Sequence, residues 1–174
     1  MKKRSSLLLI LMLLLVLAGC GAKSAPTEPP ELTVTNAQGA SITAMGGSYD
    51  WDYEAEGGQR TGAIACGMHP LDETLRDSTP ALEMPIAVSA SFYYTVTLDF
   101  GDCAPDSVTL RYWNEQCWGD TQAKAEKLTV QRQDDGTYTV ELIPSVGIFE
   151  VDAQWDTEDY CGRAFYSFCT KAAE

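Results

Sequence analysis

An all-β fold, a single antiparallel β-sandwich, is what this chain predicts, on three observations. Its apolar residues recur mostly at every second position, as strands with one buried face require. Clusters of Gly and Asp punctuate those runs at hairpin spacing. The stretch 32–174 is one domain's worth of chain, long enough for two half-apolar sheets to cover each other's inner faces.

Taken in order, the clearest element is the octet Tyr49-Asp50-Trp51-Asp52-Tyr53-Glu54-Ala55-Glu56, acids on one parity and apolar residues on the other. Carboxylates on one strand face stand about 6 to 7 Å apart, so one cation reaches at most a neighbouring pair. The octet therefore predicts a strand with Tyr49, Trp51, Tyr53 and Ala55 turned inward and an acidic face in solvent or along a basic partner. Gly57-Gly58 predicts the hairpin that follows. Leu71 and Leu75, four apart within Pro70–Arg76, predict a turn or two of helix, as does the Ala-, Lys- and Glu-rich stretch Asp120–Lys127.

Phe92, Tyr94, Val96, Leu98 and Phe100 share one parity, while Tyr93, Thr95, Thr97 and Asp99 take the other. Val108, Leu110 and Tyr112 mark the next strand, and Leu128 and Val130 one read as Leu128–Arg132. Asp134-Asp135-Gly136 turns into Tyr138, Val140 and Leu142. Phe149, Val151, Ala153 and Trp155 follow, then a polar turn at Asp156–Asp159 and a last strand over Gly162–Phe168. Roughly nine to eleven short strands result, a sandwich's worth.

Within Pro105–Cys169 the runs PDSVTLRYW, the DDG hairpin, GIFEVDAQW and GRAFYSF resemble the second half of an immunoglobulin-like domain. They are also similar to uncharacterised lipoproteins of Gram-positive gut bacteria, a resemblance that implies no activity. Trp113 departs from the pattern: its parity is opposite to Val108, Leu110 and Tyr112, so it faces away from the core unless a bulge intervenes.

The N-terminus reads differently. A positive MKKR start precedes an unbroken apolar run, Leu7–Leu17, of signal-peptide length and short for a bilayer span. It ends in Leu17-Ala18-Gly19-Cys20, which resembles the lipobox of bacterial lipoproteins. That resemblance implies a signal peptide over 1–19, lipidation of Cys20 by two or three acyl chains, and a domain held at the outer face of the cell membrane. Residues 20–31, rich in Pro and small side chains, read as a tether for the domain 32–174.

The chain carries a formal net charge of −13, and the signal removes Lys2, Lys3 and Arg4 but no acid. Such a surface repels nucleic acid and anionic lipid, so a charged partner is expected to be cationic.

Five cysteines follow Cys20: Cys66, Cys103, Cys117, Cys161 and Cys169. Cys103 and Cys117 flank one strand and lie at opposite ends of the sandwich. Counting strand reversals brings Cys161 to the end holding Cys103 and Cys169 to the end holding Cys117. Disulfides Cys103–Cys161 and Cys117–Cys169, with Cys66 free, are expected; buried reduced thiols are the alternative. The one histidine, His69, stands three residues after Cys66, an incomplete ligand set, so no metal and no cofactor are expected.

No Gly-x-Ser-x-Gly, His-Glu-x-x-His or phosphate-loop signature occurs, and the chain is not expected to be an enzyme. Trp118, in a loop at one end, and Trp113 and Tyr93, on outward faces, are the candidates for stacking on a sugar or peptide; the alternative is that both tryptophans are packed over. The function expected is a non-enzymatic, membrane-anchored binding domain for an envelope protein, peptide or glycan. A structural envelope lipoprotein without a specific ligand comes second, an enzyme or metal carrier third.

Overall fold

The computed structural model describes residues 25–55, 57–85, 93–142 and 146–173. Within them lie twelve strands: β1 (Thr33–Asn36), β2 (Ser41–Thr43), β3 (Met45–Ala55), β4 (Gln59–Ala65), β5 (Ala81–Met84), β6 (Tyr94–Asp99), β7 (Ser107–Asn114), β8 (Glu126–Leu128), β9 (Val130–Arg132), β10 (Tyr138–Leu142), β11 (Gly147–Asp156) and β12 (Tyr160–Ala172). They form two packed sheets, ordered β2-β1-β6-β10-β9 and β4-β3-β12-β11-β7-β8. All pairings are antiparallel except that β5 runs parallel to the end of β12.

The protein is a β-sandwich, and its strand order carries the immunoglobulin-like arrangement. One sheet holds β1, β6, β10 and β9, in the order of strands A, B, E and D; the other holds β12, β11, β7 and β8, the first three of them in the order G, F and C. The strands β2, β3 and β4 are inserted after β1, and the β3–β4 hairpin extends the larger sheet beyond β12.

The core sits where the alternation places it. Val96, Leu98 and Phe100 face Leu110, Phe149, Val151, Ala153 and Phe168 across the sandwich, all buried. Phe149 stacks on Phe168 at 4.9 Å, and at the other end Trp51 meets Trp155 edge-on at 5.1 Å and lies along Tyr160 at 5.3 Å. The octet has the expected faces: Trp51 is 1% exposed, while Asp50, Asp52 and Glu54 lie in solvent. Gly57 and Gly58 take φ of 94° and 76°, which only glycine adopts cheaply. Glu56 and Phe92 lie outside the described residues, as do the signal 1–19, Cys20 and the first part of the tether.

Three expectations are corrected. The stretch Leu128–Arg132 is two strands: Leu128 pairs with Leu110 in one sheet and Val130 with Val140 in the other, the chain crossing at Thr129. Helix at Pro70–Arg76 shrinks to a 3-10 turn, Glu73–Leu75, capped by Asp72; at Asp120–Lys127 there is a turn leading into β8. So short a helix cannot offset its nucleation cost, and Ala123 is drawn instead against Trp113.

The tether is the third. Residues 26–31 are docked on the domain: the indole N–H of Trp51 donates to the Pro26 carbonyl at 2.8 Å, and the Tyr166 hydroxyl to the Pro30 carbonyl at 2.7 Å. Both donors belong to side chains buried among apolar groups, and proline carbonyls satisfy them where water cannot reach.

Candidate functional site

The outer face of the larger sheet, turned away from the core, gathers most of the chemistry. Strands β7, β11 and β12 place Arg111, Glu150, Asp152, Arg163 and Phe165 on it, because register sets Arg111 beside Glu150, Asp152 beside Phe165, and Gln154 beside Arg163. The Asp152 carboxylate is 5% exposed. Arg163 grips it with two bonds, Nε at 2.7 Å and Nη2 at 2.5 Å, and Arg111 Nη2 reaches it at 3.2 Å. Arg111 also donates to Glu150.

The Phe165 ring lies under the Arg163 guanidinium, 4.6 Å from its centroid, with Arg111 at 5.9 Å. Bonding to Asp152 raises the Arg163 pKa further, with Glu150 and Asp50 adding to the effect. The result is a fixed plate of alternating charges braced on an aromatic ring, with few rotamers left to order when a ligand arrives.

Beside the plate runs an open groove of about 420 Å³, lined among others by Ser48, Met68, His69, Arg111, Glu150 and Phe165. Its far wall is the segment after β4. Gly67 donates its N–H to the Ser48 hydroxyl at 3.0 Å and lies so close to β3 that an added Cβ would stand 2.5 Å from the Ser48 nitrogen. Only glycine allows that approach, so Cys66-Gly67-Met68-His69 is a wall pinned to the sheet. His69 Nδ1 accepts the Leu71 N–H at 3.2 Å, and Leu71 plunges onto Trp113 and Ile148. Met68 stays 57% exposed at the rim.

Trp113 does point away from the core, as its parity predicts, but it is 5% exposed. Leu71 packs against it, His69 meets it edge-on at 5.9 Å, and its indole N–H donates to the Ala123 carbonyl at 3.0 Å. Trp118 is half-buried against the same cluster, with the Arg76 guanidinium 5.8 Å from its ring. Tyr93 is 58% exposed and lies apart, at a cavity of about 180 Å³ where Tyr112 and Phe149 of one sheet meet Leu142 of the other. The three aromatics do not form one platform.

The five cysteines Cys66, Cys103, Cys117, Cys161 and Cys169 are free thiols. Cys161 lies on the outer face between Asp52 and Asp156, its sulfur accepting from Arg60 Nη2 at 3.2 Å. Cys103 sits instead beside the Tyr160 hydroxyl, on the core side, so this expected pair points to opposite faces of β12. Burial and the neighbouring Cys103 push the Tyr160 phenol up to about 12. Cys117 and Cys169 both pack against the Leu71, Trp113 and Ile148 cluster, unbonded, and burial raises the Cys169 thiol to about 11. Among the described residues no three His, Cys, Asp or Glu side chains gather as a metal-ligand set, and no helix is long and apolar enough to cross a membrane.

The charged plate was within reach of sequence reasoning, since Arg111, Glu150, Asp152 and Arg163 all take outward parity on strands. The groove was not, because its wall is a loop whose path depends on Gly67 meeting β3. No family model matches the chain, and no curated protein or solved structure matches it either.

Proposed function

We propose that this protein is a non-enzymatic binding domain, anchored through lipidated Cys20 at the outer face of the cell membrane. It presents the outer face of its larger sheet to an envelope protein, peptide or glycan. The anchor rests on the resemblance of Leu17-Ala18-Gly19-Cys20 to a lipobox. The observation that carries the binding role is the groove beside Phe165. There an aromatic ring, a pinned loop and paired charges are held open to solvent with their rotamers fixed, as a recognition surface needs.

The test compares what the full-length wild-type protein retains from solubilised envelope with what a Phe165→Ala, Met68→Ala variant retains. Wild type is expected to hold a defined protein or glycan that the variant releases. Identical retention by both removes the groove from the proposal. Metabolic lipid labelling of Cys20→Ala checks the anchor: labelling is expected to vanish, and persistent labelling overturns it.

A further inference from the structure

The β3–β4 hairpin is an addition to the immunoglobulin-like frame, and it ends the larger sheet in an open edge. Among the described residues only β3 pairs with β4, and Gln59–Ala65 make no backbone hydrogen bond outside that ladder. Alternate residues of such a strand turn their N–H and C=O outward, ready for another strand. The other edges are short: β2, β8 and β9 have three residues each, β8 carries Glu126 and Lys127, and β9 ends in Arg132. In contrast β4 has seven residues, a single charge at Arg60, and Ile64 standing 80% exposed. It is the longest and least guarded edge.

We propose that β4 takes up an extended, lysine- or arginine-bearing peptide segment of a partner protein as an additional strand. The charge around this corner selects the partner. Asp52 and Glu54 on β3 and Asp156, Glu158 and Asp159 at the β11–β12 turn are all exposed. Gly62, Asp52, Cys161 and Asp156 form one cross-strand row. Asp52 leans along it over the edge: its Oδ1 lies 2.7 Å from where a Cβ on Gly62 would stand.

The carboxylate thus fills the side-chain space of the edge residue, one strand closer to an incoming chain, where a cation opposite Gly62 meets it. Of the two cations near this corner, Arg163 is already held by Asp152, and Arg60 lies with its Nη2 on Cys161 of the same row, so five exposed acids face one guanidinium. A second copy of this chain is a poor occupant, since each copy carries a net charge of −13. The inference rests on the reading of the chain as a binding domain but uses a surface separate from the groove.

The probe is a fluorescent nonapeptide alternating lysine and threonine, compared with the same peptide N-methylated at alternate residues, and titrated into the full chain by anisotropy. Hydrogen exchange maps the bound state. Expected are slowed exchange at 59–65, affinity about tenfold weaker on N-methylation, and a several-fold loss for Asp52→Asn. Equal binding of the N-methylated peptide reduces the effect to charge and overturns strand addition. Protection at 47–48 and 67–69 instead of 59–65 overturns the edge while leaving the groove reading intact. Absence of binding, or self-association through 59–65 in sedimentation equilibrium, also overturns it.

Discussion

Asp152 shows how a single side chain organises the outer face. It is nearly buried, and two guanidiniums supply the bonds that water would. Replacing it with Ala leaves Arg111 with Glu150 alone and Arg163 without its partner. The expected cost is about 2 to 4 kcal/mol in urea denaturation, with an unchanged m-value, the partial exposure of both arginines keeping it below that of a fully buried pair. A change within about 0.5 kcal/mol would mean that solvent already screens the network. The thiols divide by the same logic of surroundings: Cys66 is exposed, whereas burial keeps Cys169 protonated. Iodoacetamide at pH 8 should therefore modify Cys66 well before Cys169 in the native protein, with mass spectrometry of the peptides as the readout. Equal rates would show that the Leu71 cover opens freely.

At the scale of elements, alternation made the inward faces legible almost throughout, because a strand's side-chain period of two survives whatever the strand pairs with. That same property hid the crossing at Thr129. Leu128 and Val130 face one shared core from opposite sheets, so the pattern runs on without a break. Parity also located Trp113 on the outer side but said nothing of its roof, which comes from Leu71 and Ala123, distant along the chain in either direction.

The docked N-terminal segment escaped for a related reason: proline-rich composition reports that a segment has no core of its own, and not that it lacks acceptors for a neighbour's donors. Its contribution is measurable. Tyr166→Phe should cost about 1 kcal/mol, the worth of one neutral hydrogen bond, and deletion of 25–30 should red-shift tryptophan emission as the Trp51 indole meets water. Unshifted emission on deletion would mean that Trp51 stays covered without Pro26. Docking begins at Pro26, so the proline-bearing part of this stretch belongs to the domain's surface and is not a free spacer.

For the molecule as a whole, charge and burial act together on the alkaline side. The chain is already strongly negative, and its interior holds acids that ionise only at high pH. Burial holds the Cys169 thiol at about 11, against an ordinary value of 9.0, and the Tyr160 phenol at about 12, against 10.0; the Tyr166 phenol is raised as well. Well below pH 9 these groups are protonated whether the chain is folded or not, and the folded state's preference is fully expressed. Between about pH 9 and 11 the unfolded chain releases the Cys169 proton while the folded chain keeps it, and Tyr160 extends the window toward 12, so stability falls as pH rises. Each proton lost also adds to the self-repulsion of an acidic surface. The urea midpoint should therefore be lower at pH 10.5 than at pH 8, recover partly in 0.5 M salt, and decline less steeply with pH in Cys169→Ala. The slope, and not the absolute stability, is the measure, since removing the sulfur also opens a small void. A slope unchanged in that variant would place the alkaline loss in the tyrosines and the net charge alone.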